Sequence, residues 1–151
     1  MSDATTDHFV LDTDILSLFE HGHPRVMAEV LQRPVKQLSF TVISLEEQLS
    51  GWYTLLRRSR TSEQIERAYG GLAATFTTLS RFPILDFPGE AIAKFEWLRS
   101  LKLGVRSADL RIAAIALIHD ATLVTRNTAD FQGIPGLRIA NWADDSMSPN
   151  S

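Results

Sequence analysis

Apolar and polar positions change their period several times along the chain, and each change marks an element. Residues 8–11 (His-Phe-Val-Leu) form a short apolar run closed by Asp12, the pattern of a buried strand. Ile15, Leu16, Leu18 and Phe19 follow at helical spacing until Gly22 and Pro24 stop them. A second helix is predicted from Pro24 or Arg25, with Val26, Val30 and Leu31 on its inner face. Residues 38–43 read as a second strand, after which Ser44 opens a helix with Leu45, Leu49, Trp52 and Leu56 inward. Thr61 or Ser62 caps the next helix, whose apolar stripe is Ile65, Tyr69, Leu72, Phe76 and Leu79. Residues 83–87 predict a third strand, and 89–101 a helix packed through Ile92, Phe95 and Leu98. Ser107 is expected to cap a helix over 108–119 that is rich in Ala, Ile and Leu. A fourth strand at 122–125, a turn or short helix around 129–131, and a last strand at 137–140 complete the pattern.

Strands and helices alternate, which predicts an α/β fold: a three-layer α/β/α sandwich with a mostly parallel central sheet. The chain has 151 residues, so one domain over 1–142 is expected. Residues 143–151, with their Asp, Ser, Pro and Asn, read as a disordered tail. Hydrophobic residues make up 44% and charged residues 22%, ordinary for a globular fold with one sizeable core. The absence of cysteine excludes disulfides, a thiol nucleophile, thiolate zinc sites and iron–sulfur clusters. The N-terminus lacks the basic and apolar regions of a signal peptide, and the apolar run 112–118 is too short to span a bilayer. A cytoplasmic protein with no membrane partner is therefore expected. A formal charge of −3 argues against general DNA coating, so contact with nucleic acid would need local basic patches or bound cations.

In parallel sheets of this kind the site lies outside the carboxyl ends of the strands. Four acids fall near that edge. Asp12 closes the first strand, Glu47 lies early in the helix after the second, and Asp109 lies in the first turn of the 108–119 helix. Asp130 sits in the exit loop of the fourth strand. Each also has a structural reading. Asp12 or Asp14 could cap a helix, and Ser44-x-x-Glu47 has capping-box spacing. Asp109 suits the dipole of its helix, and Asp130 could brace a turn. Together, convergent carboxylates repel, by about 4 kcal/mol per pair at ~4 Å and an effective dielectric of ~20. They then require a proton or a cation. Oxygen ligands without Cys favour a hard ion, Mg²⁺ or Mn²⁺, and hence metal-assisted phosphodiester hydrolysis.

These segments resemble a known family. Phe9-Val-Leu-Asp-Thr-Asp14, Ile43-Ser-Leu-Glu-Glu-Gln-Leu-Ser-Gly51, Ser107-Ala-Asp-Leu-Arg-Ile-Ala-Ala-Ile-Ala-Leu117 and Thr122-Leu-Val-Thr-Arg-Asn-Thr-Ala-Asp-Phe131 are similar to the PIN-domain ribonucleases. Within them they resemble the VapC toxins of bacterial toxin–antitoxin pairs. The resemblance implies a metal-dependent endoribonuclease whose four acids, both catalytic and metal-binding, are Asp12, Glu47, Asp109 and Asp130. Glu46, about 100° around the helix from Glu47, would then face elsewhere. Thr13, Asp14, Thr125 and Asn127 are candidates to orient the acids or water. The residue after the second acid is usually apolar in the family; here it is Gln48. The resemblance also implies Mg²⁺ or Mn²⁺ as cofactor, an RNA substrate, a VapB-like antitoxin and a homodimer.

RNA approaching an acidic pocket needs positive charge at its rim. Arg106, Arg111 and Arg126 lie beside the acids in sequence and are the candidates for binding it. Trp52, Tyr53 and Trp97 lie on amphipathic helices and read as core, with an antitoxin groove as the other option. His21-Gly-His23 reads as an exposed turn at a helix stop. Two other functions fit less of the chain. Val10-Leu-Asp-Thr-Asp14 echoes the Asp-x-Asp of haloacid dehalogenase-type phosphatases, but Leu16 and the scarcity of lysine depart from that pattern. A non-catalytic RNA- or protein-binding module is the third reading.

Overall fold

The structure is a computed structural model that describes residues 7–144. Among these, the strands in chain order are β1 (Phe9–Leu11), β2 (Leu38–Thr41), β3 (Ile84–Leu85), β4 (Thr122–Val124) and β5 (Arg138–Ala140). The helices are α1 (Thr13–Glu20), α2 (Pro24–Leu31), α3 (Val42–Arg58), α4 (Ser62–Leu79), α5 (Gly89–Ser100), α6 (Ser107–Ile118) and the single-turn α7 (Thr128–Phe131). The strands form one sheet in the order β3-β2-β1-β4-β5, with all pairs parallel. Phe9 pairs with Leu38 on one side of β1 and with Thr122 on the other.

Both faces of the sheet are covered, which is why its strands read as apolar runs rather than alternating ones. Val10 and Leu123 face Phe95 and Leu98 of α5 and Ile112 and Ile115 of α6. Leu11 and Val124, one residue on, face Ile15 and Leu16 of α1 and Val26 and Val30 of α2. The α/β/α sandwich read from the sequence is therefore the architecture observed, with a wholly parallel sheet.

Several boundaries and faces differ from expectation. β2 stops at Thr41, and α3 starts at Val42 rather than Ser44, because the Thr41 hydroxyl accepts the Ser44 N–H at 3.2 Å and caps the helix. The helix α6 starts at Ser107, with Arg106 at its N-cap and no side chain bonding there. Leu31 faces outward. The largest reversal is in α4, where Ile65, Tyr69 and Phe76 are exposed, Phe76 by 73%. That helix instead packs through Ala68, Thr75 and Leu79. Gly71 is the reason: a Cβ there would overlap the Trp52 indole, so the ring of α3 lies directly on the α4 backbone. Trp52 Nε1 donates to Thr75 Oγ1 at 2.9 Å. Small residues permit this close approach, and the bulky stripe is left outside. Tyr53 and Trp97 are also about half exposed, so the core reading fails for both.

Gln48 belongs to the same contact. It donates to Glu20 at 2.9 Å and accepts from Thr75 at 2.9 Å, tying α1, α3 and α4 together. At the C-terminal end, Trp142 and Ala143 are buried in the α1–α2 core, so Ala143 does not belong to the tail predicted over 143–151. Residues 145–151 of that tail lie outside the described residues.

Candidate active site

The sheet order turns back at β1, with β2 on one side and β4 on the other, and a crevice opens at their carboxyl ends. Asp12 follows β1 directly and its backbone N–H bonds to Val124 O at 3.1 Å, so its place is set by the β1–β4 register. The side chain does two jobs. Oδ1 accepts the Ile15 N–H at 2.9 Å and caps α1, while the carboxyl also accepts from the Thr125 hydroxyl. The capping reading of Asp12 is thus observed, and the same carboxyl also lines the crevice.

Asp12 is only 5% exposed. Burial pushes its carboxyl up to about 6 from a usual 3.8, and the charges of Asp14 and Asp109 push the same way. The Thr125 and Ile15 hydrogen bonds act in opposition without cancelling the rise. Asp109, in the first turn of α6, is 9% exposed. Asp12 and Asp109 line one cavity of about 190 Å³, together with Thr13, Asp14, Arg106, Asn127 and Phe131.

Glu47 reaches this cavity through its neighbours. Thr13 Oγ1 donates to Glu47 Oε1 at 2.6 Å and lies 2.8 Å from Ser44 Oγ. Since Thr41 caps α3, the Ser44-x-x-Glu47 capping box does not form, and both side chains turn toward Thr13. Glu46 is exposed on the other flank of the helix, beside a cavity lined by Val42, Leu45, Leu49 and Tyr53. The sequence offers Ser44 as a cap, whereas the structure makes it a site neighbour; Thr41, three residues earlier, is the signal for the true cap. Asp130 is exposed and does not line the Asp12–Asp109 cavity; it accepts from Asn127 Nδ2 at 2.7 Å. The Asn127 N–H in turn bonds Thr125 Oγ1 at 2.9 Å, so a chain of contacts joins the Asp130 loop to Asp12.

The three candidate arginines differ. Arg106 bonds Asp109 and Glu47 together. Arg126 approaches Asp14 at 3.6 Å. Arg111 lies over the Phe95 ring and lines a second cavity of about 530 Å³ with Glu47 and Gly51. Asp14 is exposed, lines the same cavity as Asp12 and Asp109, and approaches Arg126. His21 and His23 close α1 and open α2 around Gly22 at φ +75°, as a turn.

Among the described residues, no three acid or histidine side chains stand close enough to cage a metal ion. A hard ion of the Mg²⁺ class does not need a cage, because one or two carboxylates plus substrate phosphates commonly hold it. Two buried carboxylates on one small polar cavity, one raised in pKa chiefly by its burial and further by neighbouring acids, are a donor set that fits such an ion.

The family model described as PIN domain matches residues 9–137. The chain belongs to the PIN domain family. The match runs from the first residue of β1 to the edge of β5 and takes in all four acids. This PIN domain is similar to "Ribonuclease VapC2" of Rickettsia felis, at 29% identity over 138 residues, covering 89% of this chain and 97% of the relative. It is similar to "Ribonuclease VapC1" of Haemophilus influenzae at 29% identity over 141 residues, with 89% and 97% covered. Among solved structures it resembles DNA-bound VapBC from Salmonella typhimurium, with a TM-score of 0.74, 26% identity, and 90% of this chain and 98% of that chain covered.

Proposed function

We propose that this PIN domain is a metal-dependent endoribonuclease acting as the toxin of a toxin–antitoxin pair. The observation that carries the reading is the shared cavity of Asp12 and Asp109 at the carboxyl edge of β1 and β4. Those two carboxylates, with Glu47 and Asp130 joined to them through Thr13, Arg106 and Asn127, are the groups that would hold Mg²⁺ or Mn²⁺. When bound, such an ion acidifies a water and offsets charge on the scissile phosphate. The chain's own groups prepare the site. Thr125 and the Ile15 N–H hold Asp12, Thr13 holds Glu47, and Asn127 holds Asp130. Arg106, Arg111 and Arg126 provide the positive rim that brings RNA phosphates to an acidic pocket.

The partner in this reading is a VapB-like antitoxin. Support comes from apolar surface that this chain leaves uncovered: Tyr69 and Phe76 on α4, and a cavity of about 440 Å³ along α3 lined by Val42, Leu45, Leu49 and Tyr53. A homodimer and a cytoplasmic setting belong to the same reading. Among the described residues no helix is long and apolar enough to cross a membrane.

The test is purified protein on a panel of small RNAs with Mg²⁺, with Mn²⁺ or with chelator, beside Asp12→Asn and Asp109→Asn. Cleavage should need the ion and vanish in both variants while their circular dichroism stays native. Retained cleavage by clean Asp12→Asn protein would overturn the assignment.

A further inference from the structure

Arg106 stands at the N-cap of α6 with its side chain folded over the first turn. Nη2 and Nε donate to the two oxygens of Asp109 at 3.0 and 3.3 Å, and Nη1 donates to Glu47 Oε2 at 3.1 Å. One planar fork therefore joins an acid of α3 to an acid of α6. The Arg106 side chain is 62% exposed, while Glu47 and Asp109 are largely withdrawn from water. The other two candidate arginines make no such contact: Arg126 approaches Asp14, and Arg111 lies on Phe95.

The guanidinium fork takes both Asp109 oxygens, and these are the hard donors a divalent cation would require. Two cations at one carboxylate also repel each other, so the two occupants exclude one another by position and by charge. An exposed arginine gives way readily, because ion pairs of this kind hold weakly. We propose that Arg106 is a built-in competitor for the divalent ion at Asp109 and Glu47, lowering metal affinity until the ion displaces its guanidinium toward solvent. This rests on the nuclease reading above. The displaced group remains tethered at the mouth of the site, where an RNA phosphate is the next anion within its reach. Metal entry and substrate capture are then coupled through one side chain.

The experiment compares wild-type protein with Arg106→Gln and Arg106→Lys, without RNA, by calorimetric titration with Mn²⁺ and by thermal melting. Arg106→Gln should bind Mn²⁺ tighter by roughly 2-fold to 30-fold, the range that loss of two ion pairs to a solvent-exposed arginine implies. Arg106→Lys, which keeps charge without the fork, should fall between. At saturating Mn²⁺, Arg106→Gln should also show a raised KM for RNA. Equal or weaker Mn²⁺ binding by folded Arg106→Gln overturns the competition while leaving the nuclease reading intact. No Mn²⁺ binding by either protein, with no RNA cleavage, overturns both.

Discussion

Replacing Asp12 by Asn should cost all cleavage and yet make the fold more stable, provided chelator is present and the pH is above 6. Asp12 ionises near 6 in the folded protein against 3.8 ordinarily. A raised carboxyl binds its proton more tightly in the folded state, so the fold loses stability as pH climbs from 3.8 to about 6 and does not regain it above. That difference corresponds to about 3 kcal/mol, an upper figure for a single buried group. Asparagine carries no charge to bury. Its Oδ1 can still accept the Ile15 N–H, and its amide N–H groups would face the charges of Asp14 and Asp109 favourably. Some of the gain will be lost to imperfect fit beside Thr125, so about 1–3 kcal/mol is expected, or roughly 3–10 °C in Tm. The assay is thermal unfolding of both proteins in chelator from pH 4 to pH 8. The variant should gain steadily on wild type between pH 4 and 6 and hold a constant lead above. Every other carboxylate titrates in both proteins and largely cancels in the difference. Added Mg²⁺ should raise Tm in wild type alone. An Asp12→Asn protein less stable than wild type at pH 8, or a difference independent of pH, would refute the claim that this carboxylate is buried under strain.

Asp109→Asn should likewise abolish cleavage, and it should release Arg106, seen as a weakened salt dependence of Tm at low ionic strength. Gly71→Ala should destabilise by about 1–3 kcal/mol in urea despite alanine's better helix propensity, since the new methyl overlaps the Trp52 indole. No loss of stability would show that the α3–α4 contact yields easily. Gln48→Leu, the apolar type usual in the family, removes the partners of Glu20 and Thr75 and should lower stability by about 1–3 kcal/mol. Because burial already raises the Glu20 carboxyl, that loss should be larger at pH 8 than at pH 4, checked by urea melts at both.

The order of elements and the parallel layering were legible along the chain because local period reports whether a segment is helix or strand and whether it is buried. Asp12 could be placed at the carboxyl edge for the same reason: a buried strand ending in an acid leaves it little choice of location. Asp109 was legible from its position in the first turn of a helix that reads as core on nearly every side. The two buried acids of the cavity were thus within reach of sequence reasoning, and so was Glu47's place on its helix.

Other features depended on what each segment met. Periodicity marks an apolar stripe on α4, but whether the stripe is covered depends on which helix comes closest. Ala68, Gly71 and Thr75 let Trp52 in, and that contact outcompeted the bulkier face of Tyr69 and Phe76. Ser44 could cap a helix or serve the site, and only the presence of Thr41 one turn earlier, in capping conformation, released it to Thr13. The Arg106–Asp109 half of the fork is a local i,i+3 contact, but its arm to Glu47 joins α6 to α3 across a gap in sequence that nothing in either segment specifies. Period and propensity act between near neighbours in the chain, whereas packing and ion pairing act between near neighbours in space. The fold and its acids belong to the first kind of information; the covered faces and the guanidinium between two carboxylates belong to the second.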